Sequence, residues 1–392
     1  MKIAGTLFYI GGSSGSGGTR SIHKPIRIRK AAESETWPNP RREINKRAAR
    51  LRRIARGFRA ANIFYGGGVM EYTKTEAKAY CKEHMKGIWA ALTTPFAKDG
   101  SLDEQGLRAN VRTCIDDLKI DGFFCNGLMG EYWSLSPEER RRAQHIVCEE
   151  SHGKAQVIPH TAHINLTEAV ELTKHAEEVG ADYAILINPI YGAHDDDEIF
   201  LYFKTLCDQV DIGISLFNQP KSGTTLSPEL IERLADIDNI CCIKNAVPSM
   251  AHQMETRRRV GDRIVVCDPN EEVLLVSLAH LDMQVHMSSP CPYLYQVPGY
   301  SPIRDYYDAA MAGDMKKAWE INYSLEPLRA VRKKYFTTGP NGRTTAFIKE
   351  WTTCLGLPAG DVRPPVVSLT QAEKDEFRKD LEATGLLDKV KA

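Results

Sequence analysis

The hydrophobic pattern of the chain becomes regular from residue 86, where short apolar runs alternate with longer amphipathic segments. The runs are apolar almost throughout, which is typical of parallel strands that are buried on both faces. The runs cover residues 87–94, 122–126, 157–161, 183–188, 212–217, 240–245, 263–268 and 283–288. The pattern therefore predicts eight parallel strands separated by helices.

The segments between the runs carry apolar residues at helical spacing, for example over residues 166–179 and 228–235. Ser136 and Ser227 each precede a proline, and this combination is a common start of a helix. Eight strand–helix units in about 200 residues predict an α/β protein with a (β/α)8 TIM barrel. A doubly wound open sheet is the alternative, but no glycine-rich dinucleotide motif follows the first run.

The two ends of the chain differ from this barrel pattern. Residues 303–392 predict a C-terminal helical extension, with helices over residues 311–328 and 343–355. Residues 1–69 hold 15 Lys and Arg against 3 Asp and Glu, although the whole chain has 51 of each class. We therefore predict three parts: a basic N-terminal extension over residues 1–69, the barrel over residues 70–302 and a helical region over residues 303–392.

The basic N-terminal extension includes a Gly/Ser run at residues 11–18 and an arginine-rich stretch with helical potential at residues 41–59. Such a segment can bind nucleic acid or anionic membranes, or it can be a targeting peptide. The simpler interpretation is a disordered extension, or translation from an upstream start codon with the working protein beginning near Met70. We therefore predict no nucleic-acid and no membrane partner, and we expect the catalytic residues after residue 86.

The composition is that of a globular protein, with 42% hydrophobic and 26% charged residues. No run of eighteen apolar residues is present, so a membrane span is not expected. The ten cysteines form no CxxC pair, and several lie inside apolar runs. Buried, reduced thiols in a cytoplasmic protein are the simplest interpretation of this pattern.

Lys244 is a cation at the end of the sixth, otherwise apolar run. The active sites of barrels lie at the carboxyl ends of the strands, and buried lysines are rare. Burial lowers the pKa of an ammonium group, which makes the neutral amine available as the nucleophile of a Schiff base. From its position alone, Lys244 is either this nucleophile or a solvated lysine at the rim of the barrel.

Three other strand ends carry candidate binding residues. Gly127 and Gly130 follow the second run, where a GxxG turn either brings backbone N–H groups to a carboxylate or only closes a tight turn. Asn218 follows the fifth run and either donates hydrogen bonds to a ligand or closes the turn. Tyr191 follows the fourth run and either reaches the rim of the barrel or packs under a loop.

In their order along the chain, these motifs resemble those of the dihydrodipicolinate synthase and N-acetylneuraminate lyase family. The matching motifs, within residues 86–385, are Thr94-Pro95-Phe96, Gly127-x-x-Gly130-Glu131, Pro189-x-Tyr191, Asn218-x-Pro220 and Ile243-Lys244. The resemblance implies that Lys244 forms an imine with pyruvate or another 2-oxo acid, so that a neighbouring carbon–carbon or carbon–oxygen bond can be broken or made. No cofactor is implied.

The resemblance also implies the roles of two further parts of the site. The glycine loop, defined as residues 127–130, would bind the substrate carboxylate through its backbone N–H groups, and Glu131, which follows it, is also expected to bind the substrate. Family members commonly form homotetramers or homodimers in which a tyrosine of one subunit enters the site of its neighbour. Tyr191 matches that tyrosine, so we expect a homo-oligomer with Tyr191 as a catalytic residue.

The chain departs from the family at positions close to the predicted lysine. The family usually has two threonines between the loop glycines, whereas this chain has Leu128 and Met129. Phe217 replaces the tyrosine that usually moves protons, and loss of such a group commonly costs about 10²–10⁴-fold in rate. Asn245 follows Lys244 where many members have glutamate. Imine formation is therefore expected without the usual proton relay.

These departures argue against dihydrodipicolinate synthesis, because the segment after Pro220 also lacks the arginine that synthases use for a second carboxylate. Leu128, Met129 and Phe217 favour a substrate with an apolar or aromatic distal part, unless they pack in the core instead. We therefore predict a class I lyase, either a pyruvate-type aldolase or a hydratase-aldolase. The alternatives are a dehydratase of a 2-oxo-3-deoxy sugar acid, and a catalytically silent member that binds a 2-oxo acid as a sensor or structural subunit.

Another group must move protons if the residue at position 217 cannot. The candidates are Tyr191, His160 and His163 after the third run, Ser288 at the end of the eighth run, and a bound water. Ser288 is also a candidate for substrate binding. Two histidines near a barrel mouth suggest a metal site, but no further ligand completes a set, so no metal is predicted. His286 is expected to be a hydrogen-bonded histidine of the core.

Overall fold

The protein is described by a computed structural model over residues 70–192, 195–288, 291–336 and 341–390, so the predicted N-terminal extension lies outside the described residues. Parallel strands form the centre of the fold. They are β1 (Gly87–Ala91), β2 (Gly122–Phe124), β3 (Gln156–Val157), β4 (Tyr183–Ile187), β5 (Gly213–Asn218), β6 (Ile240–Asn245), β7 (Val265–Cys267) and β8 (Val285–Ser288). Each strand overlaps one of the apolar runs, so the predicted strands are confirmed.

The strands pair in two groups of four, in the orders β3-β2-β1-β8 and β4-β5-β6-β7. Beyond the end of β3, His160 pairs with Ile185 of β4 and joins the two groups. On the opposite side, the N–H of Met287 in β8 donates to Sγ of Cys267 in β7 across 3.3 Å. The strands therefore close into a barrel, as the sequence predicts.

Helices precede the first strand, alternate with the strands and continue after the last one. Those up to β8 are α1 (Ala77–His84), α2 (Glu104–Asp116), α3 (Pro137–Ser151), α4 (Leu166–Glu178), α5 (Asp196–Cys207), α6 (Pro228–Leu234), α7 (Met250–Val260) and α8 (Leu274–His280). Those after β8 are α9 (Cys291–Leu294), α10 (Pro302–Met311), α11 (Met315–Ser324), α12 (Glu326–Phe336), α13 (Asn341–Cys354), α14 (Gln371–Glu382) and α15 (Leu386–Val390). A C-terminal set of helices thus follows the barrel, as expected.

Helices α3 and α6 begin with the predicted caps. Ser136 accepts a hydrogen bond from the N–H of Glu139 across 3.2 Å, and the Glu139 carboxylate accepts one from the N–H of Ser136 across 3.0 Å. Ser227 accepts in the same way from the N–H of Leu230 across 3.1 Å. Caps of this kind stabilise a helix by about 1 kcal/mol, because they satisfy N–H groups that have no partner within the helix.

The single helix predicted over residues 311–328 is wrong, because the chain breaks there into separate helices. Helix α10 ends at Met311, and Gly313 follows with a φ of 83°, a left-handed conformation that favours glycine. Asp314 then caps α11 by accepting from the N–H of Lys317 across 3.1 Å. The amphipathic pattern continues through these breaks, so periodicity alone cannot locate them.

The amino end of the barrel is covered by the segment that precedes α1. The hydroxyl of Tyr72 donates to the carbonyl of Asp182, just before β4, and accepts from the N–H of Gly213, the first residue of β5. Lys78 of α1 donates to the carbonyl of Ala235 across 2.6 Å. The opposite, carboxyl end of the barrel is therefore the end that is available for a site.

The described residues also bear on the predictions about cysteines and membranes. Nine described cysteines are free thiols, and all of them except Cys354 are buried. Within the described residues, no helix is both long and apolar enough to pass through a membrane. The cytoplasmic location of the protein stays a prediction.

Candidate active site

Lys244 lies one residue before the end of β6, at the carboxyl end of the barrel, and is only 4% exposed. Its Nζ is 4.3 Å from the ring centre of Phe124 on β2 and 4.8 Å from that of Phe217 on β5. Because β2 lies across the barrel from β6, the side chain points into the barrel. Burial lowers the pKa of Lys244 from 10.5 to about 8, while the thiols of Cys267 and Cys242 oppose this shift. A neutral amine is thus accessible near neutral pH.

Lys244 lines a cavity of about 310 Å³. Most of the cavity wall is apolar, and the predicted residues Leu128, Met129 and Phe217 are part of it. The full lining is Ala91, Phe124, Leu128, Met129, Phe217, Gln219, Pro220, Lys221, Lys244, Ala246, Pro248, Pro269, Asn270 and Arg332. The fold therefore brings the predicted lysine together with the three residues that distinguish this chain from the family pattern.

Phe217 faces Lys244 across two neighbouring strands, because the two residues are partners in the parallel register of β5 and β6. The rings of Phe217 and Phe124 meet edge to face, with their centres 5.7 Å apart. Neither ring carries a group that can donate or accept a proton. Nζ of Lys244 thus lies beside two aromatic rings, and no hydroxyl stands at position 217.

The glycine loop follows β2 and is held close to its neighbours. A Cβ at Gly127 would lie 2.5 Å from the ring of Phe124, so a larger residue there would displace that ring. Oγ1 of Thr94 donates to the carbonyl of Gly130 across 2.8 Å and ties the loop to the end of β1. Within the described residues, the backbone N–H groups of residues 128–130 donate no hydrogen bond. These donors are therefore able to bind an anion such as a carboxylate.

Glu131, which ends the predicted carboxylate motif, is fully buried and does not line the cavity. Its φ is 53°, and its Oε1 accepts from Nζ of Lys349 across 2.8 Å. Its Oε2 accepts from the N–H of Arg363 across 3.3 Å. Both partners belong to the C-terminal region. A contact between Glu131 and substrate stays a prediction, and the observed partners give this carboxylate a structural role in fixing the loop.

Asn218 is the last residue of β5, and its amide is used by the protein itself. Nδ2 donates to the carbonyl of Leu226 and to Oδ1 of Asn245, each across 3.0 Å. Oδ1 accepts from the N–H of Leu226 across 2.9 Å. These bonds match the turn-closing alternative of the sequence interpretation, while a substrate contact by Asn218 stays a prediction.

Within this chain Tyr191 does not reach the lysine cavity, and the side chain of Ser288 lies outside the described part of the structure. Tyr191 follows β4, is 77% exposed and does not line the Lys244 cavity. Ser288 ends β8, where its backbone pairs with Ala90 of β1, but its side chain lies outside the described part of the structure. The predicted roles of both residues therefore stay predictions.

Buried histidines occupy two positions inside the barrel. Burial lowers the pKa of His160 well below its usual value. Burial also lowers the pKa of His286 to about 3, and the positive charges of Lys244 and Arg332 act in the same direction. Neither ring nitrogen of His286 has a hydrogen-bond partner among the described residues. The expectation of a hydrogen-bonded core histidine is therefore wrong in this respect. His163 instead lines a neighbouring cavity of about 260 Å³.

No group of three His, Cys, Asp or Glu residues is placed to hold a metal ion in the part of the chain that the structure describes.

Other groups at the site were not identified from the sequence. Phe124 forms a wall behind the lysine, and Arg332 and Lys349 come from α12 and α13. Phe124 is indistinguishable from a core residue of an apolar strand. Arg332 and Lys349 are charged residues on amphipathic helices, where such residues are common, so the sequence does not distinguish them from solvated residues.

Comparison with known proteins identifies the family. The sequence matches the profile described as the dihydrodipicolinate synthetase family over residues 84–384. The chain belongs to this family. The 4-hydroxy-tetrahydrodipicolinate synthase of Methanothrix thermoacetophila is 32% identical over 295 residues, which are 75% of this chain and 95% of the relative. The N-acetylneuraminate lyase of Clostridium perfringens is 30% identical over 245 residues, which are 62% of this chain and 83% of the relative.

Solved structures of the family share the fold. Dihydrodipicolinate synthase from Aquifex aeolicus has a TM-score of 0.68 at 27% identity, covering 77% of this chain and 98% of that chain. YagE, a prophage protein of the family from E. coli K12 in complex with pyruvate, has a TM-score of 0.68 at 27% identity, covering 77% of this chain and 99% of that chain. The predicted family and TIM barrel are confirmed, and the chain is a member of a family of pyruvate-using lyases and aldolases.

Proposed function

We propose that this chain is a class I lyase in which Lys244 forms an imine with pyruvate or another 2-oxo acid. The observation that carries the proposal is the state of Lys244, which is buried at the carboxyl end of the barrel, lines a cavity and has a pKa lowered to about 8. A lysine of this kind is partly neutral near pH 7 and can attack a ketone. The aromatic walls limit the access of water to the imine.

The reaction begins when the neutral Nζ of Lys244 attacks C2 of the 2-oxo acid, and loss of water then gives an iminium ion. In the cleavage direction, the C4 hydroxyl loses its proton, the C3–C4 bond breaks, and an aldehyde leaves. The electron pair of that bond moves toward the iminium and forms an enamine. Protonation at C3 and addition of water at C2 release pyruvate and the free amine. The nitrogen serves as the electron sink, so this chemistry needs no added cofactor.

The glycine loop supports this proposal because it offers N–H donors for the substrate carboxylate. The N–H groups of residues 128–130 have no acceptor within the described chain, and Leu128 and Met129 line the lysine cavity. Backbone donors of this kind bind a carboxylate without a charged side chain. A substrate carboxylate on the loop would place the adjacent ketone carbon toward Lys244.

The apolar wall supports an aldolase or a hydratase-aldolase whose substrate has an apolar or aromatic distal part. The side chains of the apolar wall offer no hydrogen bond to the hydroxyl groups of a sugar acid; they belong to Phe124, Leu128, Met129 and Phe217. An unpaired hydroxyl buried against such a wall would lose its hydrogen bonds to water without replacement. The dehydratase of a 2-oxo-3-deoxy sugar acid is therefore the less favoured alternative.

A homodimer or homotetramer is part of the proposal, with Tyr191 acting in the site of a neighbouring subunit. Trp133, Ile164 and Ile190 are apolar side chains with substantial exposure that line one cavity, and Ile190 directly precedes Tyr191 in the chain. An exposed apolar patch of this kind is typical of a protein–protein interface. Within its own chain Tyr191 does not line the lysine cavity, so its predicted catalytic role requires a second subunit.

The test is the release of pyruvate from a panel of 2-oxo acids, measured by coupling to lactate dehydrogenase and NADH oxidation. The panel contains 4-hydroxy-4-phenyl-2-oxobutanoate for an aldolase, 4-phenyl-2-oxobut-3-enoate for a hydratase-aldolase and a 2-oxo-3-deoxyhexonate for the alternative. We expect turnover of an aryl substrate that is abolished in Lys244→Met. Consumption of the sugar acid alone, with loss of one water by mass spectrometry and without release of pyruvate, would replace the leading proposal by the dehydratase. Imine formation without any turnover would favour the silent binding member.

A further inference from the structure

The cavity that contains Lys244 has an excess of positive charge. Three cations line it, namely Lys221, Lys244 and Arg332, and its described lining includes no Asp or Glu. A cleft lined by one sign of charge within apolar walls attracts ligands of the opposite sign. Since imine formation uses the neutral form of Lys244, Lys221 and Arg332 are the cations of the cavity wall that an anionic ligand would meet.

Arg332 reaches this cavity from α12, in the C-terminal region, and not from the end of a barrel strand. Its Nη1 lies 3.0 Å from Oε1 of Glu272, and the Arg332 side chain is 21% exposed. The charge of Arg332 also acts inside the barrel, where it contributes to the lowered pKa of His286. The guanidinium is thus held in position by a carboxylate at the cavity wall, with its charge acting on the barrel interior.

The first carboxylate of a 2-oxo acid does not require this arginine, because the glycine loop already offers backbone N–H donors. Apart from its cations, the cavity wall is formed mainly by apolar residues such as Met129, Phe217 and Pro269. Its volume of about 310 Å³ falls in the range of sites for ligands larger than pyruvate. A substrate that fills the cavity would therefore extend from the loop along an apolar wall toward the two remaining cations.

We propose that Arg332 binds a second carboxylate at the far end of the substrate, with Lys221 adding to the positive field. This inference rests on the proposed imine function and specifies its substrate class as a 2-oxo diacid with an apolar or aromatic middle. A planar guanidinium matches the two oxygens of a carboxylate with parallel hydrogen bonds, which a lysine ammonium cannot do. Arg332 is then a residue that determines specificity and takes no part in the imine step.

The test compares two six-carbon 2-oxo acids, 2-oxohexanoate and 2-oxoadipate, which differ in the terminal carboxylate. Each is titrated against the full chain in the presence of cyanoborohydride, with pyruvate as a third ligand, and the trapped adduct is measured by intact mass. We expect 2-oxoadipate to reach half-maximal trapping at a roughly 10- to 100-fold lower concentration than 2-oxohexanoate, as for charge-assisted hydrogen bonds. Arg332→Met should remove this difference. Because pyruvate has no second carboxylate, the variant should raise the half-maximal concentration of pyruvate far less than that of 2-oxoadipate.

Two matched variants separate the contact from a general effect on folding. Glu272→Gln removes the same ion pair but keeps the guanidinium, and it should retain most of the preference for 2-oxoadipate. Arg332→Lys keeps the charge but loses the paired hydrogen bonds, and it should retain only part of the preference. Thermal unfolding of each variant by circular dichroism shows whether it is folded.

The outcomes distinguish this inference from the function on which it rests. If the wild type traps pyruvate but takes both six-carbon acids equally well, or if Arg332→Met keeps the preference for the diacid, the assignment of Arg332 is overturned while the imine function stands. If the wild type traps none of the three acids, the imine function itself is overturned, and the inference about Arg332 is overturned with it.

Discussion

Lys349 donates a hydrogen bond to Oε1 of Glu131 across 2.8 Å, and both side chains are almost completely buried. Lys349 lies on α13, whereas Glu131 directly follows the glycine loop. Nζ of Lys349 also donates to the carbonyl of Asp361 across 2.9 Å and lies 4.0 Å from the ring centre of Phe96. A buried ion pair therefore ties the C-terminal helices to the loop that we propose as the carboxylate site.

Lys349→Met is expected to destabilise the protein by about 3–5 kcal/mol, because it leaves a buried carboxylate without its counterion. We also expect a higher half-saturating concentration of pyruvate, since the glycine loop loses an anchor. Urea unfolding followed by circular dichroism and titration of imine trapping measure the two effects. The double variant Glu131→Gln with Lys349→Met removes both charges and should recover part of the stability. A loss below about 1 kcal/mol in the single variant, as for exposed pairs, would contradict the structural role.

The rate of imine formation should depend on the titration of Lys244. Because burial lowers the pKa of Lys244 to about 8, about half of the amine is neutral at pH 8, and the neutral fraction is nearly complete only above about pH 9. We therefore expect the rate of pyruvate imine formation to rise through neutral pH and to level off above about pH 9. Stopped-flow mixing with pyruvate over pH 6–10 measures this profile. A rate that keeps rising toward 10.5, the ordinary pKa of lysine, would show that the amine is not desolvated.

Phe217→Tyr should place a hydroxyl near Nζ of Lys244, because the Phe217 ring centre lies 4.8 Å from that atom. A proton donor or acceptor at this position commonly contributes about 10²–10⁴-fold, so we expect imine formation to accelerate by at least about tenfold. Single-turnover trapping at saturating pyruvate measures the change. An unchanged rate in a variant of normal stability would show that another group already moves the proton.

Asn218→Ala is expected to act on stability rather than on pyruvate binding. It removes the bonds to both the N–H and the carbonyl of Leu226, and we expect a loss of about 2–3 kcal/mol in the free energy of unfolding. Asn218→Asp keeps the acceptor for the Leu226 N–H but turns a buried carboxylate oxygen toward the Leu226 carbonyl and Oδ1 of Asn245, so it should be at least as harmful. Urea unfolding and pyruvate titration are compared for the two variants. A large loss of pyruvate affinity without loss of stability would instead favour the predicted substrate contact.

The barrel could be predicted from the sequence because its strands are buried on both faces and therefore read as continuous apolar runs. Against that background Lys244 is conspicuous, since a lysine at the end of a buried strand has few structural explanations. The place of Phe217 beside it is predicted only through the resemblance to the family, and the parallel register of β5 and β6 pairs the two residues. The position of Lys244 thus follows from a local pattern and a general property of barrels, whereas its role and that of Phe217 depend on the resemblance.

The contributions of the C-terminal helices could not be predicted from the sequence. Arg332 and Lys349 lie on amphipathic helices, where charged residues are usually solvated, and helical spacing does not show what a helix packs against. The role of Glu131 is equally hard to predict. The direction of its side chain depends on a left-handed backbone conformation and on a partner, Lys349, more than 200 positions away. Such long-range pairs arise only when the chain is folded.

Reduction of the protein with borohydride in the presence of pyruvate tests the Lys244 imine most directly. Intact mass shows whether one pyruvate becomes attached, and peptide mapping identifies the modified lysine. Lys221 lines the same cavity and serves as an internal comparison within one sample. We expect a single adduct on Lys244, with none on Lys221 and none in the Lys244→Met variant. An unmodified Lys244, or an adduct that persists in Lys244→Met, would contradict imine catalysis by this residue.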